Sequence, residues 1–234
     1  MTGEEGASIT AGELMAAIDH TIFAAGKETT RFAFNGIFLK PVGDKLVAAA
    51  TDGRRLAIYE SLLASLNKKA PQPLDNPIIP VRAAKILRVL LADDPEAIVK
   101  LYRDGGRLSM DVGGSILTTA LVEGTFPPYE EVIPKAASTT ITVERDSLLA
   151  SVKRAALLTD DDSKGVKFGV TKSGIKLESR NPEDGEAEVN LPCKVEGQTV
   201  EIAFNPIFIA DGLCATADAG VRIELTAANR PGTR

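Results

Sequence analysis

An internal repeat is the feature that most constrains how this 234-residue chain can fold. Three blocks recur in the same order: ITAGELMAAI from Ile9 with ITVERDSLLASV from Ile141, DKLVAAATD at Leu46 with IKLESRNPED at Leu177, and AIVKLYRDG at Val99 with AGVRIELTA at Val221. The spacing between the paired blocks drifts slowly, as expected for two copies of one fold with different loop lengths. We predict two copies of one domain, 9–135 and 139–234, after a short N-terminal tail, 1–8.

Each copy opens with a helical pattern and continues with short strand-like runs. Apolar residues at helical spacing predict a first helix over roughly Ala11–Ala25, and a matching helix around Leu148 and Val152 in the second copy. Second helices are predicted over about Val81–Leu91 and about Pro206–Thr216, where a proline suits the helix start. The strands come in meanders separated by turn signals. The fold class is therefore α+β, with two sheet-rich domains of two helices each.

The second copy stops earlier than the first. After AIVKLY the first copy continues through the strand-like runs RLSMDV and SILTTALVE to Pro134, whereas after VRIEL the second has only TAANRPGTR. We predict that the second domain lacks its final strands. It then forms an incomplete sheet with an exposed edge, or is completed by another chain, or belongs to a fragment of a longer protein.

Composition excludes several functional classes. The chain has 27 basic and 32 acidic side chains, a net charge of −5, so a protein that grips nucleic acid by charge alone is not expected. The two cysteines, Cys193 and Cys214, form no zinc or disulfide pattern, and the single histidine, His20, has no catalytic partner motif. The acidic run Asp160–Asp162 is interpreted as a solvated loop. We expect no catalytic residues, no metal and no cofactor.

Several separated segments resemble one known family. They are FNGIFL, ATDGRRLA, EGTFPPYEEVIP, SRNPEDGEAE and EIAFNPIFIADGL, in family order between roughly Ile9 and Thr226. Together they are similar to the bacterial β sliding clamp, the ring-shaped processivity subunit of DNA polymerase III, and match its second and third domains only. The resemblance implies a DNA-clamp fold, a non-catalytic cytoplasmic role, and duplex DNA, DNA polymerase and clamp loader subunits as partners, with a homo-oligomer as a further possibility.

The resemblance also implies a groove that captures short partner peptides where the two domains meet. The positions that match the groove are Phe34, Thr51, Gly53, Arg54, Arg55, Leu56, Pro127 and Val132. Apolar side chains would form its floor and the arginines its rim, while Gly53 lets a peptide approach the backbone. The alternative is that these apolar residues simply pack the domain junction.

Basic side chains on the helices are the candidates for facing DNA. They are Arg82, Lys85 and Arg88 after Pro80, and Arg145, Lys153 and Arg154 around the first helix of the second copy. The first three are predicted to lie opposite an apolar side made of Ile86, Leu87, Leu90 and Leu91. The alternative interpretation is an ordinary solvated helix face.

Two functions follow from these observations. The first is a processivity factor that surrounds or lies along duplex DNA, without sequence preference, and recruits partners through the groove. A ring holds DNA topologically, so weak phosphate contacts suffice and a net acidic chain is acceptable. The alternative is a truncated clamp paralogue or fragment that binds or titrates clamp partners without encircling DNA.

Overall fold

Two units make up the chain, Met1–Tyr129 and Glu130–Arg234. The computed structural model describes residues 5–27, 32–66, 74–159 and 165–226. The predicted acidic run, residues 160–162, therefore lies outside the described residues. In the described ranges there is no helix long and apolar enough to cross a membrane.

The described part of the first unit contains two α-helices and nine strands. The helices are α1 (Ala11–Asp19) and α2 (Val81–Leu91). The strands are β1 (Glu5–Thr10), β2 (Gly36–Val42), β3 (Lys45–Thr51), β4 (Leu56–Leu62), β5 (Ser65–Leu66), β6 (Ile78–Pro80), β7 (Ile98–Asp104), β8 (Arg107–Val112) and β9 (Ser115–Ala120). They form two antiparallel sheets, in the orders β5-β1-β7-β8-β9 and β4-β3-β2-β6.

The core of the first unit is built from both sheets and both helices. Its fully buried members include Ile9 on β1, Leu46 on β3, Leu87 on α2, Leu101 on β7 and Met110 on β8. Strand β8 contributes every second residue to this core, because side chains alternate between the two faces of a strand. The register places Val99 opposite Val112 and Leu101 opposite Met110.

The described part of the second unit contains two α-helices and seven strands. The helices are α3 (Arg145–Ala156) and α4 (Pro206–Ala215). The strands are β10 (Thr139–Glu144), β11 (Val166–Thr171), β12 (Gly174–Asn181), β13 (Gly185–Leu191), β14 (Lys194–Gly197), β15 (Val200–Phe204) and β16 (Gly220–Leu225). They form antiparallel sheets in the orders β14-β10-β16 and β13-β12-β11-β15.

The two units repeat one topology strand by strand. The four-stranded sheets match in order, and the sheet β14-β10-β16 matches β5-β1-β7 of the first unit. The three sequence blocks fall on corresponding strands, so the predicted repeat is confirmed: β1 with β10, β3 with β12, and β7 with β16. Among the described residues, the second unit has no counterpart of β8 and β9, as the shortened second copy predicts.

Helix predictions are confirmed in three places and wrong in one. α2 has the predicted bounds, α4 ends one residue before the prediction, and α3 carries Leu148 and Val152 on its buried face. α1 stops at Asp19, and a 3-10 turn over Ile22–Ala24 follows. The Thr21 hydroxyl donates to the Ala17 carbonyl at 2.6 Å and helps end the helix, although the apolar spacing continues to Phe23.

The predicted apolar side of α2 is partly wrong. Its buried residues are Ala83, Ala84, Leu87 and Leu91, whereas Ile86 is 47% exposed. Two alanines, rather than Ile86, complete the buried face because a small side chain lets α2 lie close to the sheet.

Candidate partner-binding groove and basic helix faces

The turn between β3 and β4 is closed by a carboxylate. Asp52 Oδ1 accepts the backbone N–H groups of Arg54, at 2.9 Å, and Arg55, at 3.1 Å. The turn therefore includes both arginines, and β4 begins only at Leu56. An aspartate that bonds to backbone two and three residues onward is a common way to fix such a turn.

The hydroxyl of Thr51 holds the same turn from its other side. Thr51 Oγ1 donates to the Arg55 carbonyl at 2.6 Å and accepts the Gly53 N–H at 3.0 Å. Thr51 is buried, at 7% exposure. Thr51, one of the predicted groove residues, therefore stabilises the turn.

Arg55 ties the turn to the segment that follows α1. Its Nε lies 3.1 Å from Asp52 Oδ2, and its Nη2 donates to the Phe23 carbonyl at 2.7 Å. The guanidinium carbon also lies 5.5 Å from the centre of the Phe23 ring, within cation–π range. Neither Asp52 nor Phe23 is among the groove candidates predicted from sequence. The Asp-Gly pair is a local signal that marks Asp52 as a turn residue, whereas no local signal connects Phe23 with this turn.

The backbone of Gly53, in the turn, lies close to the ring of Phe34. Gly53 has a φ of +87°, and a Cβ added there would lie 3.2 Å from Phe34 Cε2. Both the backbone conformation and the close ring therefore favour glycine. Phe34 is buried beneath the turn, while Gly53 and Arg54 are exposed, so the turn presents backbone and one basic side chain to solvent.

The apolar candidates of the first unit lie at the edge of an aromatic cluster. Leu56 is partly buried and packs against the cluster that contains Phe126 and Tyr129. The Phe126 ring stacks on Phe38 with 4.7 Å between centroids, and Pro127 follows Phe126 with part of its surface exposed. This arrangement gives the first unit a rigid apolar edge next to the β3–β4 turn. Val132 belongs to the second unit and is 70% exposed.

The three basic candidates of α2 are not equivalent. Arg82 and Lys85 are exposed on the helix. Arg88 Nε donates a short hydrogen bond to Asp19 Oδ1 on α1. That bond, with the charge of Asp19, raises the pKa of Arg88, and the carboxylate offsets its positive charge. The exposed basic face of α2 therefore consists chiefly of Arg82 and Lys85.

The basic candidates of α3 are likewise divided. Arg145 Nη1 donates to the Thr216 carbonyl at 2.7 Å, and its Nη2 lies 2.8 Å from Asp146 Oδ1. Lys153 and Arg154 are exposed in the last turn, where a positive charge also suits the helix dipole. Arg145 thus anchors the start of α3, and Lys153 and Arg154 provide the exposed charge.

Reactive groups elsewhere in the described ranges are few. No cluster of three or more His, Cys, Asp or Glu side chains is placed to hold a metal ion there. The ring of His20 stacks on Tyr59 at 4.4 Å, and its Nδ1 lies 2.7 Å from the Ala16 carbonyl. His20 therefore caps and packs the end of α1.

Comparison with known families gives two adjacent matches. Residues 8–128 match the central domain of the DNA polymerase III β subunit, and residues 130–233 match its C-terminal domain. The β sliding clamp of Vibrio cholerae is 32% identical over 223 residues, which is 95% of this chain and 59% of that protein. The clamp of Pseudomonas putida strain KT2440 is 30% identical over 91% of this chain and 56% of its own length.

Solved structures give the same result. A DNA polymerase sliding clamp from Pseudomonas aeruginosa aligns with a TM-score of 0.89 and 28% identity, over 98% of this chain and 62% of that one. The β subunit of DNA polymerase III from Thermotoga maritima aligns with a TM-score of 0.88 and 27% identity, over 99% of this chain and 62% of that one. The chain thus spans about three fifths of the length of these two structures.

Proposed function

Because the chain belongs to the DNA polymerase III β-subunit family, the bacterial β sliding clamps, we propose that it acts as a non-catalytic DNA polymerase processivity factor. In this role it lies along or around duplex DNA in the cytoplasm and recruits polymerase and clamp loader subunits. Family membership across both units carries the proposal. The geometry of the first unit supports the proposed partner-binding surface.

The proposed partner-binding surface of the first unit combines an apolar edge with a rigid turn. Leu56 and Pro127 offer apolar area to a hydrophobic anchor of a partner peptide. The turn held by Thr51 and Asp52 is fixed before any partner arrives, so little conformational entropy is lost on binding. Arg54 adds an exposed positive charge at the rim.

The proposed DNA contact is electrostatic and does not read sequence. Arg82, Lys85, Lys153 and Arg154 are exposed and basic, while the chain as a whole is acidic. Such sparse charges suit weak phosphate contacts and leave the protein free to slide.

A peptide-binding measurement tests the first part of the proposal. The probe is a fluorescent peptide that carries the clamp-binding motif of a replicative polymerase, titrated with the full chain. Leu56→Asp should weaken binding at least about tenfold, since it places a charge on the apolar edge. Arg54→Ala, at an exposed position, should change affinity by less.

The matched control is Ile116→Asp, an equally drastic change at an exposed position on β9. It should leave peptide affinity unchanged. Circular dichroism establishes that all variants are folded. If the folded wild-type chain does not bind the peptide, or Leu56→Asp and Ile116→Asp bind equally well, the groove proposal is wrong.

A second candidate function follows from the chain's coverage of about three fifths of its relatives. In this alternative the chain binds clamp partners and titrates them without encircling DNA. Retention on nicked circular DNA, followed by release on linearisation, distinguishes the two. A topological clamp is released when the DNA is cut, whereas a titrating protein binds the peptide but is not retained on the circle.

A further inference from the structure

Aliphatic side chains are exposed beside the cations of α2. Ile86 lies four residues after Arg82, and Val89 lies four residues after Lys85, so each aliphatic side chain is about one helical turn beyond a basic one. Ile86 is 47% exposed and Val89 is 68% exposed. These four exposed residues share one side of the helix, which we term the α2 stripe.

The end of α3 repeats this arrangement. Leu157, the C-cap residue, keeps a helical backbone conformation and lies four residues after Lys153 and three after Arg154. Leu157 is 80% exposed. Both helices proposed to contact DNA therefore carry exposed aliphatic side chains within one turn of their exposed cations.

Folding of the first unit does not account for the two aliphatic residues of the α2 stripe. The core side of the helix is formed by other residues, Ala83, Ala84, Leu87 and Leu91. At exposed helix positions, β-branched residues such as Ile and Val favour the helix less than Ala, Lys or Glu do. Apolar surface becomes favourable only when something covers it. The aliphatic pair is therefore typical of a surface that makes a contact.

The charge of the stripe indicates what makes this contact. Arg82 and Lys85 lie on the same side as the aliphatic pair, and the stripe has no acidic residue. The carboxylate of Asp19 bonds to Arg88, which lies outside the stripe. A protein surface laid over the stripe would bury two cations, which is costly unless it also brings carboxylates. Duplex DNA presents phosphates to the cations and, between the phosphates, the C–H edges of its deoxyribose groups.

We propose that Ile86, Val89 and Leu157 are additional contact residues for duplex DNA. Their side chains pack against deoxyribose while the neighbouring cations bind phosphates. The inference rests on the proposed function, since it adds residues to the same DNA contact. Aliphatic side chains form no hydrogen bonds with base edges, so they add affinity without holding the protein at one sequence.

The two kinds of contact respond differently to salt. Each cation that neutralises a phosphate releases counterions and adds about −0.9 to the slope of log affinity against log salt. An aliphatic side chain releases only water from apolar surface. Its contribution to affinity should therefore be nearly the same at each salt concentration, and the slope should not depend on it.

Alanine substitution separates the two kinds of contact. The probe is a short, fluorescently labelled DNA duplex, titrated with the full chain between about 50 and about 200 mM sodium chloride. The variant I86A/V89A should raise the dissociation constant about fivefold to tenfold at each salt concentration, with the slope unchanged. Leu157→Ala should raise it about threefold. Arg82→Gln should instead make the slope shallower by about 0.9.

Controls separate this effect from unfolding. Alanine is the strongest helix former, so I86A/V89A should have a urea midpoint equal to or above that of the wild type. Ile116→Ala is the matched control, because it removes an equally exposed aliphatic side chain on β9, where Ile116 is 54% exposed. It should leave DNA affinity unchanged.

Three results would overturn the inference. If I86A/V89A and Leu157→Ala bind DNA like the wild type while Arg82→Gln weakens binding, the aliphatic contact is wrong and the proposed function stands. If the wild-type chain does not bind the duplex at all, the DNA contact of the proposed function fails as well. If the wild type self-associates in analytical ultracentrifugation and I86A/V89A does not, a second chain covers the α2 stripe instead of DNA.

Discussion

Val99 and Val221 occupy the same place in two copies of one topology, yet the first is fully buried and the second is partly exposed. The strands that carry them, β7 and β16, have similar alternating sequences and pair with equivalent neighbours, β1 and β10. The difference arises from what lies on their other side: β8 in the first unit, and no described strand in the second. Burial is therefore a property of the neighbouring strand as much as of the residue itself.

The helices show the same contrast. α2 buries four residues against its unit, whereas α4, in the equivalent position, buries Pro206 and Leu213. Each helix has a proline at its start: Pro80 directly precedes α2, and Pro206 is the first residue of α4. Both helices follow a short strand. Because β8 also supplies side chains to the core of the first unit, its presence deepens burial beyond β7.

The largest expected difference between the units lies in the equivalent strands β7 and β16. Leu101→Ala, at a fully buried position on β7, should lower the free energy of unfolding of the first unit by about 2–5 kcal/mol. Ile223→Ala, at the equivalent and partly exposed position on β16, should lower the free energy of unfolding of the second unit by clearly less. Native-state hydrogen exchange of amides in β1 and β10 measures each unit separately. Equal losses would contradict the comparison.

A second difference lies in the hairpin glycines, Gly43 before β3 and Gly174 at the start of β12. Both have positive φ, +64° and +138°. A Cβ at Gly43 meets nothing within 4 Å, whereas one at Gly174 would lie 2.3 Å from the Leu191 carbonyl oxygen.

Gly43→Ala should therefore cost about 1–2 kcal/mol, from the left-handed backbone alone. Gly174→Ala should cost about 1–3 kcal/mol more, because the backbone must also move. Urea unfolding curves of the two variants test this order. The comparison fails if Gly43→Ala is the more destabilising of the two.

The smallest expected difference lies in the N-caps of the first helices. Thr10 Oγ1 accepts the Glu13 N–H at 3.3 Å, and the Glu144 carboxylate accepts the N–H groups of Ser147 at 2.8 Å and Asp146 at 3.3 Å. Thr10→Ala should cost about 1 kcal/mol at any pH, since a hydroxyl cap does not titrate in this range.

The Glu144 cap should depend on pH. Hydrogen bonds from the Ser147 side chain and backbone lower the pKa of Glu144 from its ordinary value of 4.5. A carboxyl whose pKa is lowered by folding stabilises the folded state above its unfolded pKa, and this contribution is lost as the pH falls through the folded value. Glu144→Ala should therefore shift the urea midpoint at pH 7 more than at pH 3. A shift that is the same at both values would contradict the capping role.

Much of the fold could be predicted from sequence because its signals are local. The bounds of α2 follow from Pro80 and from apolar spacing, and the sequence repeat indicates two copies of one topology. The end of α1 could not be predicted in this way. Apolar spacing continues through Phe23. The hydrogen bond from the Thr21 hydroxyl to the Ala17 carbonyl, which helps end the helix, forms only in the folded chain.

The candidate groove shows a similar limit. The resemblance indicated Gly53 and Phe34, and the structure shows that a Cβ on Gly53 would crowd the Phe34 ring. The resemblance did not indicate what fixes the side chain of Arg55. Arg55 is fixed by its hydrogen bond to the carbonyl of Phe23, which is 32 residues away in sequence. Contacts between distant segments leave no periodic trace, so a single sequence does not reveal them.

The bond between Arg88 and Asp19, which joins α2 to α1, also affects how the proposed DNA contact responds to salt. A basic side chain releases condensed counterions only to the extent that its charge is available to a phosphate. With Arg82 and Lys85 available, α2 should contribute a slope of about −1.8 to the dependence of log affinity on log salt, at about −0.9 per contact. Removing the carboxylate with Asp19→Asn should steepen that slope toward about −2.7, because the charge of Arg88 would then also be available to the proposed DNA contact.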